Sequence, residues 1–143
     1  MGFTSSLRIS ASGLTAQRLR MDVVSSNIAN MGTTRTALGG PYRRREAVFR
    51  AFPPLSGYQP AAARLAPPLG VRVAGVVEDD RVRLVHDPRH PDADESGYVA
   101  FPDIDIVREM TDMMSAVRAY EASVTAINAA KNMAQKALEI GRR

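Results

Sequence analysis

The sequence predicts an α+β protein: long N- and C-terminal helices paired as an antiparallel coiled coil, with a small central β-hairpin or extended region. Three observations carry this reading. Near the start, Leu7, Leu14, Met21 and Ile28 fall seven residues apart, with Val24 and Met31 at the intervening offsets. Near the end, Ile106, Met110, Met113, Val117, Tyr120, Val124 and Ile127 alternate spacings of three and four, which Ala134 and Leu138 continue. Between these stretches the helical period disappears and β-branched runs and prolines replace it.

Residues 1–32 form the N-terminal helical part, with the helix itself expected over about Thr4 to Asn30. Thr4, Ser5 or Ser6 can cap its free N–H groups. Asn30 and Gly32 are stop signals, because both tolerate the left-handed backbone that ends helices. Gly13 falls inside the helix at a cost of about 1 kcal/mol against Ala. It reads either as tolerated strain or as a close backbone approach to a neighbour.

Residues 33–101 read as strands and extended loops. Candidate strands are Tyr42–Phe52, the β-branched run Gly70–Val77, and the alternating Arg81–His86. Between the first two, loop 53–68 is rich in Pro and Ala and lacks periodicity. Three short strands make at most a small sheet or hairpin that needs support.

Residues 102–143 carry the second helix, expected over about Asp103 to Ile140. Pro102 precedes it, Asp103 and Asp105 can cap it, and Gly141 can stop it. Asp103, Asp105, Glu109 and Asp112 crowd its start, while Lys136, Arg142 and Arg143 crowd its end, complementing the helix dipole. At 1.5 Å per residue it would span about 57 Å, against about 40 Å for the first helix. Such a rod is too long for its own small partner to cover. Off the seam, Ala116, Ala119, Ala122, Ala126, Ala129 and Ala130 form a small-residue surface, with Val107 and Met114 beside it; on the first helix Ile9, Leu19 and Val23 lie outside the main stripe. Apolar residues on more than one face ask for additional helices, here expected from other chains.

Composition excludes several function classes. Of 143 residues, 19 are basic and 15 acidic, so the net charge of +4 is too small for a dedicated nucleic-acid binder. With no cysteine, disulfides, thiolate metal sites and a Cys nucleophile are excluded. No apolar run marks a cleavable secretory signal, and none approaches the roughly 18 residues needed to cross a bilayer. The expectation is a soluble chain without membrane insertion that, if it leaves the cytoplasm, does so without a removable signal.

Three candidate sites deserve weighing. His86, Asp87, His90, Asp92 and Asp94 resemble a metal site, but Pro88 and Pro91 break the helix that would align the histidines, and ordinary turn chemistry is the favoured reading. Arg43, Arg44 and Arg45 could meet phosphate or an acidic partner, yet alternate residues of an extended strand point to opposite faces. A solvated or subunit-facing strand edge is favoured. Two histidines, no cysteine and no Gly-rich phosphate loop leave catalysis without a familiar motif. No enzyme activity, catalytic residue, cofactor or metal is expected.

The run Ser10-Ala-Ser-Gly-Leu-Thr-Ala-Gln-Arg18, leading to Ser26-Asn-Ile-Ala-Asn30, resembles the shared first helix of the bacterial flagellar rod and hook family. Thr33-Thr-Arg-Thr36 followed by Gly40-Pro-Tyr-Arg-Arg44 is similar to its proximal rod branch. The more specific match is Gly97-Tyr-Val-Ala-Phe-Pro-Asp-Ile-Asp-Ile-Val-Arg-Glu-Met110, extended by Tyr120-Glu-Ala-Ser-Val124 and Ala137-Leu-Glu-Ile-Gly141. Ser26, Asn27, Ala29, Asn30, Gly97, Tyr98, Pro102, Glu109 and Met110 are the family-motif positions. Where the wider family often continues into Thr-Pro-Gly-Tyr, this chain has Met31-Gly-Thr-Thr-Arg-Thr36, which argues against the distal rod and hook branches.

The resemblance implies a structural subunit of the proximal rod in the flagellar basal body. It would assemble with itself and other rod proteins in a helical array and transmit motor torque across the periplasm. It also implies passage through the flagellar type III export apparatus without signal cleavage, and contact with the inner ring and export gate. The alternative is a coiled-coil adaptor or structural component of another secretion-type assembly. On the rod reading an isolated monomer is expected to be incompletely ordered, because most helix stability comes from tertiary packing.

Overall fold

Two helices run the length of the molecule, and four strands are gathered beside them. The structure, a computed structural model, describes residues 3–51 and 70–141; the Pro-rich loop 53–68 lies outside the described residues. In chain order the elements are α1 (Phe3–Ala29), β1 (Arg44–Ala51), β2 (Val71–Asp79), β3 (Val82–His86), β4 (Tyr98–Pro102) and α2 (Ile106–Gly141). The class is α+β, as the sequence predicts.

The helices are antiparallel. Asn27 near the end of α1 bonds Glu109 near the start of α2, and Gly13 lies against Ser123 further along. Both pairs fall on one antiparallel register, which carries Phe3 opposite Met133. With 27 and 36 residues, α1 and α2 are about 40 and 54 Å long. The last two turns of α2 therefore run past the described end of α1.

What fills the seam differs in phase from the apolar repeat in the sequence. The residues of α2 most buried along the pair are Glu109, Ala116 and Ala130, with Ser123 on the same row and Ala119 half-buried. Small side chains on this row let α2 approach α1 closely, and a Cβ on Gly13 would stand 3.3 Å from Ser123 Oγ. Gly13 thus marks a close approach within the chain. Opposite lie Ala16, Val23, Val24 and Asn27. Part of the alanine surface expected to meet other chains is consequently the internal seam, whereas Ala122, Ala126 and Ala129 stay exposed.

Helix ends follow local chemistry. Asp105 caps α2: its carboxylate accepts from Val107 N–H at 2.9 Å and its carbonyl from Glu109 N–H at 3.0 Å. Asp103 instead hydrogen-bonds through its N–H to Arg81 O. At the end of α1 neither Asn30 nor Gly32 adopts the expected left-handed backbone. The Asn30 side-chain amide instead donates to Ser26 O at 2.9 Å, a carbonyl that also accepts from Asn30 N–H at 3.1 Å, and Thr33 N–H closes the next turn on Asn30 O at 3.0 Å. Thr4, Ser5 and Ser6 lie inside α1, so they do not cap it as expected.

The strands form two separate antiparallel pairs, β1–β2 and β3–β4. In the first, Arg44 pairs Asp79 and Ala51 pairs Val71, with a bulge at Val48/Phe49. In the second, Val82 pairs Pro102 and His86 pairs Tyr98. The sequence reading finds β1, β2 and β3 but not β4, whose five residues end in a proline that reads as a helix punctuator. A terminal, edge position is where a strand accepts Pro. Gly70 seats β2 on α1: Val71 N–H donates to Ser12 Oγ at 3.0 Å, and a Cβ on Gly70 would collide with that oxygen.

Candidate functional site: a buried polar clamp joining both helices to the first strand

The most buried polar side chains of the described chain meet at one place. Asn27 and Glu109 are both fully buried and Arg44 nearly so. Asn27 uses every hydrogen-bonding position of its amide. Its Oδ1 accepts from Arg45 N–H at 2.9 Å and from Tyr42 OH at 3.2 Å. Its Nδ2 donates to Arg45 O at 2.8 Å and to Glu109 Oε2 at 3.0 Å. One side chain on α1 thereby pairs with the strand backbone as another strand would, and reaches α2 as well.

Arg44 completes the clamp. Its Nε donates to Glu109 Oε1 at 2.8 Å and its Nη1 to Glu46 Oε2 at 3.1 Å. Burial alone would lower the guanidinium pKa; the bond and charge of Glu109, then those of Glu46, outweigh it and hold Arg44 above its ordinary value. Beside it, Arg20 on α1 bonds Asp112 on α2 at 3.0 Å. Ser26 Oγ lies 3.2 Å from Tyr42 OH, and Thr33 Oγ1 donates to Asn30 Oδ1 at 3.2 Å. The end of α1, the start of α2 and the entry to β1 are held by one connected set of bonds.

The arginine triplet divides as strand alternation requires. Arg44 points inward, while Arg43 and Arg45 pair with Asp80 and Glu78 at the surface. A cleft of about 220 Å³ opens beside the clamp, lined by Arg20, Arg44, Glu46, Phe49 and Asp112 among others. Its charged groups are already paired with one another, so the arrangement is suited to fixing three elements rather than to gripping a small ligand.

The motif residues near β4 serve a second junction. Gly97 has φ +76°, and a Cβ there would press on Pro88 and His86 at 3.1 and 3.2 Å. Tyr98 is partly exposed, with its ring edge-on to His86 at 5.0 Å, and Pro102 is buried. His90 packs on Phe101 and accepts from Asp92 N–H through Nδ1. Asp92 in turn accepts from Thr34 Oγ1 at 2.8 Å, and Asp94 turns the chain by accepting from Ser96 and Tyr98 N–H. The histidines and aspartates of this stretch thus face different partners. Among the described residues no group of three or more such side chains is placed to hold a metal ion.

The seam candidates separate into two groups. Val24 is buried, and Leu7, Leu14, Met21, Ile28, Met113, Tyr120, Val124 and Ile127 are half-buried along the helix pair. Ile106, Met110, Val117 and Leu138 are exposed, as is Ala29. Of the other clamp residues, Arg20 is absent from the sequence reading, which has Arg44 only within the arginine triplet and the Gly40–Arg44 motif, Tyr42 only in that motif and as a strand boundary, and Asp112 only as a charge near the helix start. The strand alternation that splits the triplet is the signal that one arginine must face inward.

Comparison with known proteins matches this geometry to one family. Residues 7–35 match the family model "Flagella basal body rod protein", and residues 95–140 match "Flagellar basal body rod FlgEFG protein C-terminal". These ranges hold the two helices and the clamp residues Asn27 and Glu109. The flagellar basal-body rod protein FlgC of Borreliella burgdorferi is 46% identical, covering 98% of both chains. That of Bacillus subtilis is 49% identical over 96% of this chain and 97% of its own, and that of Aquifex aeolicus 39% over 97% of each. The clamped pair of terminal helices sits in a chain that is similar to these relatives from end to end, and it belongs to the FlgC family of flagellar basal-body rod proteins.

Proposed function

We propose that this rod protein is a non-enzymatic structural subunit of the proximal rod, working by geometry alone. The observation that carries the proposal is the clamp. Asn27, Arg44 and Glu109 fix the angle between helix pair and strands, so force applied to the β region reaches the helices through hydrogen bonds and an ion pair. Because desolvation offsets much of the attraction in a buried ion pair, the role proposed for this one is to set a single geometry, which suits a part that must transmit torque without yielding.

The exposed apolar residues of α2 support packing against neighbouring rod subunits. Contacts with the inner ring and export gate, and export through the flagellar type III apparatus without a cleaved signal, belong to the same proposal. Among the described residues no helix is long and apolar enough to cross a membrane. The domain division at 1–32, 33–101 and 102–143 enters the proposal as helical wall, outer β segment and helical wall. Isolated basal bodies test the reading: the chain should be a stoichiometric component of the rod fraction with its N-terminal residues intact. Its absence from that fraction would sink the reading, and a shortened N-terminus would sink the export claim.

A further inference from the structure

Each two-stranded ladder has two outer edges, and the chain closes some of them and leaves others open. β1 is closed at Arg45, whose N–H and carbonyl both turn away from β2 to bond the Asn27 amide. β2 is closed at its start, where Val71 N–H bonds Ser12. β4 is closed at Tyr98: its N–H donates to Asp94 Oδ1 and its carbonyl accepts from Asp94 N–H.

Hydrogen-bond parity locates the open stretches. Opposed residues of an antiparallel ladder point their backbone groups either at each other or both outward, and the two senses alternate. Glu78 is opposite Arg45, so Glu78 and Val76, on the same side of the bulge, point outward. His86 is opposite Tyr98, so His86, Leu84 and Val82 point outward on β3. Among the described residues no backbone hydrogen bond from another element reaches these five positions. All of β3 is exposed, and Val77 and Leu84 are exposed by more than half. A two-stranded ladder is marginal by itself, and an open apolar edge is a template for a further strand.

Charge selects which strand. β2 runs into Glu78, Asp79 and Asp80, whereas β3 follows Arg81 and carries Arg83. The three carboxylates already bond Arg45, Arg81 and Arg43 of their own chain, so new ion pairs do not carry the contact. What the charges decide is which edges can lie side by side. Antiparallel order brings the acidic end of β2 to the basic start of β3. In the register that sets Val77 opposite Val85, the outward groups of Glu78 and Val76 meet those of Leu84 and His86, and no like charges are opposed.

Resting on the rod reading above, we propose that the open edge of β2 in one copy of this chain pairs with the open edge of β3 in the next, making one four-stranded sheet across two copies. The two edges differ, so the contact is head-to-tail and leaves an edge free at each end. Strands of this length bury far less than the roughly 800 Å² per partner of a stable dimer. The contact is therefore weak between two free copies and firm only in an array.

The chain has no cysteine, so single cysteines can be introduced without background. In isolated basal bodies containing a mixture of Val77→Cys and Val85→Cys chains, mild oxidation should join one variant to the other, and neither variant alone should link. Leu84→Pro removes only an outward N–H and leaves the β3–β4 ladder its bonds, so it should lower incorporation about tenfold or more. Leu84→Ala, which keeps that N–H, should be incorporated like the unaltered chain. The proposal is overturned if the mixture stays unlinked, if either variant links to itself as readily, or if the cysteines link only to other rod proteins. It is equally overturned if Leu84→Pro is incorporated as well as Leu84→Ala. In those cases the unaltered chain is still found in the rod fraction; its absence there would instead refute the rod reading.

Discussion

At the scale of single residues, Glu109 and Arg44 make the account most exposed to test. Removing one member of a buried, hydrogen-bonded ion pair leaves the other charge uncompensated, at a cost of about 3–5 kcal/mol. Arg44→Ala should fall in that range, since Glu109 would retain only Asn27 as a donor. Glu109→Ala should lie at its lower end, because Glu46 still faces Arg44. The double replacement by methionine should cost less than either single change, and urea titration of the four proteins measures the difference. A second residue-scale prediction concerns Asp79. The hydrogen bond from Arg81 holds its carboxyl down at about 2, against an ordinary 3.8. Because the folded value is the lower one, the pairing is fully present above about 3.8 and is lost as pH falls through about 2. A carboxyl titration followed by NMR should show that midpoint, and Arg81→Ala should raise it only part of the way to the ordinary value, because the backbone N–H of residue 81 still donates to Asp79.

At the scale of elements, the helices are legible in the sequence because a heptad repeat needs no tertiary knowledge. Their phase is not. The eye counts large apolar residues, whereas α1 and α2 meet where side chains are smallest, at Gly13, Ala16, Ala116 and Ala130. The repeat through Ile106, Met110 and Val117 reads as a seam, but nothing local says that α1 leaves these three exposed. Strand alternation separates Arg44 from its neighbours, yet its target, Glu109, lies 65 residues away and no spacing rule reaches that far. Likewise β4 is too short and too close to Pro102 to announce itself without β3 beside it. Gly70 gives this scale its prediction. Its φ of +139° and its contact with Ser12 exclude a Cβ, so Gly70→Ala should release the Val71–Ser12 bond and loosen β2 from α1. Faster amide exchange at Val71 and Val73, with α2 protection unchanged, is the expected outcome.

At the scale of the whole molecule, the core is a line rather than a globule. Among the described residues it follows the helix seam to the polar clamp, with a second buried point at Val99 and Pro102 of β4, while many large apolar side chains stay at the surface. A chain built this way gains much of its order from neighbours, so dilute monomer should show less helix than its 27- and 36-residue helices would give. Far-ultraviolet circular dichroism checks this, and a full helical signal with cooperative melting would count against it. The clamp joins the β segment to both helices; in the proposed rod role the helix pair would form the wall and the exposed stripe of α2 would supply contacts. The central claim is that this protein is a part of the rod itself. It is tested most directly by deleting its gene and imaging basal bodies: the account predicts that complete rods are missing and return on complementation, and intact rods in the deletion strain would contradict it.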